Sequence, residues 1–478
     1  MINLKDTAYQ WIDENEKKLI EWSDKVWDFA ELGLLEFKTE KYLSDITEKA
    51  GFKVDRGVAE MPSAFMGTWS YGEGGPTIGI LGELDALAGI SQKAVPYKDP
   101  VKEGAPGHGC GHNIYGAGAV AAGIALKVAM EEHKIPGTIK VYGCPAEETL
   151  VGKVWMVKHG LFDGVDAVLA HHPSSSNTAS TGSSNAMNSF KVHFYGRTAH
   201  SAGDPENGIS ALDAVELMSN GVNFMREHVT EKTRVHYIHE EAGGQPNVVP
   251  AYARTWYYNR APQRAQVEET YDWIMDIVKG ANLMARTTSK VEFLTGCYDK
   301  MPNGVLAKLV VEEMRGIGAP KFSEEDYAFA KKMSENWDIE KKMNSLQKSG
   351  RPDWQKLRDV AFDDIVRDDY RAGMVGAGST DVSDVSWVVP TIEFSTTAMA
   401  LGTPGHSWQF TAQTGHSIGH KSMIFSTKVH AAAGLELLTK PKLLQKVKEE
   451  WVERLNGRVY KSPIPEGLAP PLDQLKDA

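Results

Sequence analysis

Cys110 and His112 stand two residues apart in Gly107-His108-Gly109-Cys110-Gly111-His112-Asn113, with glycines flanking and separating them. Glycine lets the backbone take left-handed or crowded conformations, so such a loop can turn both side chains onto one small target. A thiolate beside an imidazole suits a borderline-soft divalent ion. The same pair could work as an activated thiol nucleophile, or be an inert loop with a half-buried cysteine and a surface histidine. Acids at neighbouring strand ends favour the metal. Glu83-Leu84-Asp85, Pro145-Ala146-Glu147-Glu148 and His171-His172-Pro173 each follow an apolar run, and His406 closes the loop Gly402-Thr403-Pro404-Gly405-His406. Adjacent side chains on a strand end point oppositely. One of Glu147 and Glu148 can therefore ligate while the other faces the attacking water. His171 and His172 compete for one ligand role. Asp85 suits a carboxylate that orients a ligand histidine.

These side chains need a scaffold that brings them together. Thr77–Gly82, Thr138–Cys144 and Val165–Ala170 read as buried strands, and Tyr115–His133 as an Ala/Gly-rich helix able to pack closely. A further helix runs to His159. Strand, helix, strand in this order predicts a mostly parallel mixed α/β sheet. In such sheets sites form at the carboxyl ends of the strands. Residues 3–50 read as two helices, with Trp11, Leu19, Trp22, Val26 and Phe29 at near-helical spacing. The long loop 88–107 carries Gly and Pro, as functional loops often do.

Near residue 186 the texture changes. Phe190, Val192 and Phe194 alternate with Lys191 and His193, a half-exposed strand. A helix is expected from Ile209 to about His228, sheet at 247–250 and 253–259, a second helix through Val267, Tyr271, Ile274 and Val278, and a strand at 291–294. The β-α-β-β-α-β order marks a compact α+β unit inserted as a domain. The expected organisation is a catalytic α/β domain in two parts, 1–186 and 302–478, around a satellite at 187–301. Residues 321–372 are charge-rich and read as a solvated helical insertion or lid.

Composition removes several classes. The 478 residues carry a net charge of −11 and no dominant basic stripe, which argues against nucleic acid. Three cysteines make no disulfide framework and fit a reducing compartment. The first residues lack the order of a signal peptide, and no apolar run approaches the ~18 residues of a membrane span. The cytoplasm is the expected location.

Together, Cys-Gly-His, Pro-Ala-Glu-Glu, His, Gly196-Arg197-Thr198-Ala199-His200-Ser201 and a late histidine resemble the M20 metallopeptidases, in the aminoacylase/amidohydrolase subgroup. The likeness runs from Glu31 to Lys421. It implies that Cys110, His112, Glu148, His172 and His406 hold two divalent ions, Mn²⁺ or Zn²⁺, with Glu147 as catalytic acid/base. Counted from Asp166, His172 rather than His171 falls on the family position. The satellite would carry dimerisation, with His200 reaching a partner's active site and Asn247 and Arg260 near the substrate carboxylate. The partner would be a second copy or a related subunit. The implied reaction is hydrolysis of an N-acyl amino acid, with p-aminobenzoyl-glutamate first among substrates. Another aminoacylase, dipeptidase or carboxypeptidase activity and a non-catalytic partner subunit are the alternatives. The chain departs from the wider family where a His-x-Asp strand end reads Glu83-Leu84-Asp85. That histidine ligand is absent, and Cys110 takes its place as in the subgroup. Asn113 stands where many subgroup members have Asp.

Overall fold

The computed structural model describes residues 4–335 and 337–472. Helices α1 (Leu4–Phe29) and α2 (Phe37–Lys49) precede β1 (Lys53–Arg56), β2 (Phe65–Tyr71) and β3 (Thr77–Glu83). Then come α3 (His112–His133), β4 (Gly137–Cys144), α4 (Gly152–Lys158), β5 (Ala167–Ser174) and β6 (Thr178–Ala179). A seven-stranded sheet has the order β1-β2-β4-β3-β5, followed by β11 (Thr391–Thr397) and β6. Its central strands β4, β3, β5 and β11 run parallel, whereas β1, β2 and β6 join antiparallel. The fold is thus the expected mixed α/β class.

The parallel strands are apolar on both faces because helices cover both. Helix α3 supplies one cover. Its Ala/Gly composition lets it lie against β3: a Cβ on Gly116 would meet the Glu83 carbonyl oxygen at 2.7 Å. By length and hydropathy α3 could cross a membrane, contrary to the expectation that no apolar run comes near that length. Most of it is buried inside the protein, where an all-round apolar helix belongs.

The second sheet is antiparallel, in the order β10 (Thr288–Cys297), β7 (Ala186–Tyr195), β9 (Tyr252–Ala261), β8 (Arg234–Glu241). Helices α5 (Ala211–Met225) and α6 (Arg264–Ala285) bury Val215, Met218, Ile274 and Val278 against Phe190, Val192 and Tyr257. Strand β8 corrects the sequence reading, which placed sheet at 247–250. Only Val235 of β8 is buried, so this edge strand shows little apolar alternation, while Gly243, Gly244 and Pro250 break the later run.

After α7 (Gly304–Ile317) come α8 (Glu324–Ser334) and α9 (Ile339–Lys348). This charged insertion keeps a largely exposed surface but anchors on a small buried core. Phe329, Met333 and Phe362 pack together, and Arg351, 3% exposed, pairs with Asp363 at 3.0 Å. Arg351 also donates to the Ser175 carbonyl at 2.9 Å, tying the insertion to the chain just beyond β5. Helices α10 (Val382–Val388), α11 (Trp408–Thr414), α12 (Ser417–Thr439) and α13 (Pro441–Leu455) complete the described fold.

Candidate metal centre

The carboxyl ends of β3, β4 and β5 meet the amino end of α3, and the ligand-capable side chains collect there. Gly111, at φ +82°, turns the chain into α3, so that Cys110 and His112 project to the same side. His112 is fully buried, and its Nδ1–H donates to Asp85 at 2.9 Å (Oδ1) and 3.0 Å (backbone O). His172 donates its Nδ1–H to the Pro173 carbonyl at 3.0 Å. A neutral imidazole has one N–H. Both rings therefore present a bare Nε2 to the site, as metal-bound histidines do. His172 Nε2 lies 3.3 Å from Cys110 Sγ.

His171 points to the other face of β5, donating to or accepting from Thr396 Oγ1 at 2.7 Å beside Tyr115 and Phe394. Strand alternation separates the two histidines, and burial pushes His171 well below its ordinary pKa.

Glu147 and Glu148 occupy a tight turn after β4 rather than the strand end itself. Ala146 there takes φ +53°. The Glu148 amide donates to Asp85 Oδ2 at 2.9 Å, so Asp85 braces both His112 and this turn. Glu148 Oε2 is 3.4 Å from His406 Nε2, while Glu147 falls beside His112 and Glu83. The two acids diverge as expected, but the turn does it. His406 sits at φ +52° with its amide donating to Gly109 at 3.1 Å. Its side chain is 59% exposed.

Three overlapping sets have donor atoms within 4.8 Å of one another: Cys110–His112–His172, Cys110–Glu148–His406 and Glu83–His112–Glu147. His112 Nε2 and Glu148 Oε1 are buried without a hydrogen-bond partner. Buried polar atoms are rarely left so, and these face donor sets of thiol, imidazole and carboxylate that fit divalent ions. Burial, then the charges of Glu83, Asp381 and Glu148, push Glu147 well above its ordinary pKa, which suits a proton carrier. Burial and the Glu148 charge push the Cys110 thiol up, the opposite of what a free thiol nucleophile needs.

The satellite residues lie elsewhere. His200 is exposed, its Nδ1 accepting from the amides of Ala202 and Gly203 at 3.2 and 3.0 Å. Asn247 is exposed, and its carbonyl accepts from Ser201 N at 3.0 Å. Arg260, on β9, holds its guanidinium 5.3 Å from the Tyr258 ring centre, with Nε buried and unpartnered. None of the three joins the metal-capable sets of its own chain. Sequence reasoning passed over Lys153 and Asp381, which are fully buried behind Glu83. The lysine within the otherwise apolar Val151–Val157 run was the available signal.

Comparison with known proteins places this geometry. Over 97% of this chain and 98% of the relative, the sequence is 38% identical to one of the subunits of p-aminobenzoyl-glutamate hydrolase from Escherichia coli (strain K12). It is 27% identical to the Xaa-Arg dipeptidase of Homo sapiens, over 96% of this chain and 94% of that one. A dinuclear metal-binding peptidase of the M20 family from Bacillus subtilis shares the fold, with a TM-score of 0.54 at 15% identity over 88% of this chain and 98% of that chain. Residues 79–407, which span every member of the metal-capable sets, match the model of peptidase family M20/M25/M40, and the chain belongs to that family of amide-bond hydrolases.

Proposed function

We propose that this protein hydrolyses the amide bond of an N-acyl amino acid, with p-aminobenzoyl-glutamate as the first substrate to test. The observation that carries this reading is the 38% identity along nearly all of both chains to a subunit of p-aminobenzoyl-glutamate hydrolase. Cys110, His112, His172, Glu148 and His406 would hold two divalent ions, manganese or zinc. When bound, such ions polarise the amide carbonyl and lower the pKa of bound water. Glu147 takes the proton from the attacking water and delivers it to the leaving nitrogen. Asp85 holds His112 in the tautomer that leaves Nε2 free.

The remaining machinery sits on the satellite and serves a second subunit. His200 donates an N–H to the developing oxyanion of a neighbour's site. Arg260, with Asn247 beside the same substrate group, pairs through its planar fork with the carboxylate of the amino-acid product. Strand β8 has one sheet neighbour among the described residues and exposes Ile238, an open edge suited to pairing. A homodimer is the first assembly to test and a related subunit the second. The cytoplasm is the proposed compartment.

The test is a panel of p-aminobenzoyl-glutamate, other N-acyl amino acids and dipeptides, assayed with Mn²⁺ and with Zn²⁺. Release of p-aminobenzoate well above all other products is the expected result. Preference for dipeptides ending in arginine would replace it with the dipeptidase reading. No turnover in a metal-loaded protein would reject catalysis by this chain alone.

A further inference from the structure

Strand β3 is an apolar run that ends on a carboxylate. Glu83 has no exposed surface, and an isolated charge there would cost several kcal/mol. Its two oxygens meet different surroundings. Oε1 lies 2.8 Å from Lys153 Nζ, and the same ammonium lies 2.6 Å from Asp381 Oδ1. These are close ion pairs rather than aligned hydrogen bonds. Asp381 also accepts from the Lys153 amide through Oδ2 at 2.7 Å, so it grips the lysine at backbone and side chain together. One ammonium thus stands against two carboxylates, with the His112 ring on the far side of Glu83.

The other oxygen is the unusual one. Glu83 Oε2 is 3.1 Å from His112 Nε2. Asp85 already takes the single N–H of that ring in its neutral form. A lone pair on nitrogen therefore faces a carboxylate oxygen, both fully buried and neither with a hydrogen-bond partner. A positive charge between them, either a proton on Nε2 or a metal ion, satisfies both atoms. Two donors each about 2.0–2.2 Å from one ion, at square to tetrahedral angles, are themselves roughly 2.8–3.5 Å apart. The Glu83–His112 separation falls in that range. So does the His172–Cys110 separation of 3.3 Å.

We propose that Glu83 Oε2 is a metal ligand, sharing with His112 Nε2 an ion that Glu147 also borders. Lys153, fixed by Asp381, occupies Oε1 and presents a single oxygen to the ion. The strand end that lacks a histidine thus keeps a ligand of harder chemistry. Oxygen donors favour Mn²⁺ relative to imidazole donors, which favour Zn²⁺. Glu83 is then a determinant of metal preference, and Lys153 and Asp381 are positioning residues acting through it. This inference rests on the metal-dependent reading above.

The experiment measures metal binding, not turnover. Full-length protein is stripped with a chelator and titrated with Mn²⁺, followed by the electron paramagnetic resonance of the free ion, and with Zn²⁺ against a chromophoric chelator. Wild type should take up two ions. Glu83→Gln keeps the size of the side chain and should weaken one Mn²⁺ by at least about tenfold, leaving the other unchanged. Glu83→His should recover Zn²⁺ but not Mn²⁺, moving the ratio of affinities by about tenfold or more toward zinc. Asp381→Asn should weaken the same single ion by roughly ten- to a hundredfold, the usual effect of losing a group that orients a ligand. A folded Glu83→Gln that binds both Mn²⁺ ions as tightly as wild type would overturn the proposal and leave Glu83 as a counter-ion for Lys153. An unchanged manganese-to-zinc ratio in Glu83→His would overturn it as well, and that variant keeps the test open if Glu83→Gln does not fold. Wild type that binds no ion at all would instead reject the metal-dependent function.

Discussion

The strand-end cluster and the satellite sheet both carry residues suited to chemistry, but they hold them in opposite ways. Around Cys110 and His112 the polar side chains are buried, crowded and mutually braced. Asp85 alone touches the His112 ring and the Glu148 amide. On the satellite, His200 and Asn247 are exposed; the His200 ring meets two amides of its own turn, and the backbones of the two loops meet at Ser201 and Asn247. Burial of charge is expensive unless every group finds a partner, so the first cluster discloses its purpose inside one chain. Exposed polar residues carry no such constraint. Their purpose needs a second molecule.

That contrast can be broken experimentally, first where the effect is largest. Glu147→Gln removes the proton carrier from the buried cluster and nothing else. Turnover should fall by about 10²–10⁴, with metal content by elemental analysis unchanged; near-normal activity in a metal-replete variant would remove Glu147 from the reaction. His200→Ala should lose about 10²–10³ in kcat, as for a single oxyanion donor, again with metals retained. Mixing these two inactive variants sharpens the comparison. Hybrid dimers hold one site with both defects and one with neither, so activity should partly return. Demonstrated hybrids that stay inactive would place His200 in its own subunit's chemistry or in none.

Arg260→Ala should act on binding. Losing a charged hydrogen-bond partner costs about 1.5–3 kcal/mol, or roughly 10- to 100-fold in KM for substrates with a free carboxylate. Their esters should be spared, and equal losses for acid and ester would refute the role. The last effect is on stability rather than turnover, and it lies beneath the cluster. Burial lowers the His430 pKa to about 3 from an ordinary 6.5. Between these values the unfolded state binds the proton and the folded state does not, so stability falls as pH drops through that window. His430→Leu should flatten the loss of thermal stability from pH 6.5 toward pH 3. An unchanged slope would assign that limb to other groups.

Much of this was legible in the chain before folding. Continuous apolar strands ending in acids or histidines announced a parallel sheet with a site at its carboxyl edge, because strand ends are where such sheets leave side chains free. Spacing brought Cys110 and His112 together, whereas His171 and His172 competed for one role, with only the resemblance favouring His172. Other features were hidden. Strand β8 buries one apolar side chain, so no period marked it. Residues 321–372 carry many exposed charges, and the few buried anchors among them, such as Arg351 against Asp363, leave no hydrophobic period to read.

What the chain alone determined, then, was the set of donors and the scaffold that would gather them, since ligand type and hydrophobic period are local properties. Only the tertiary structure decided which nitrogen of each histidine is bare, and that Glu147 and Glu148 diverge by a turn at Ala146. It also decided that Glu83, read from sequence as the mark of a missing histidine, faces His112 with Lys153 and Asp381 behind it. Those outcomes depend on contacts between residues as far apart as Lys153 and Asp381. No local pattern encodes how these two buried side chains come to face each other.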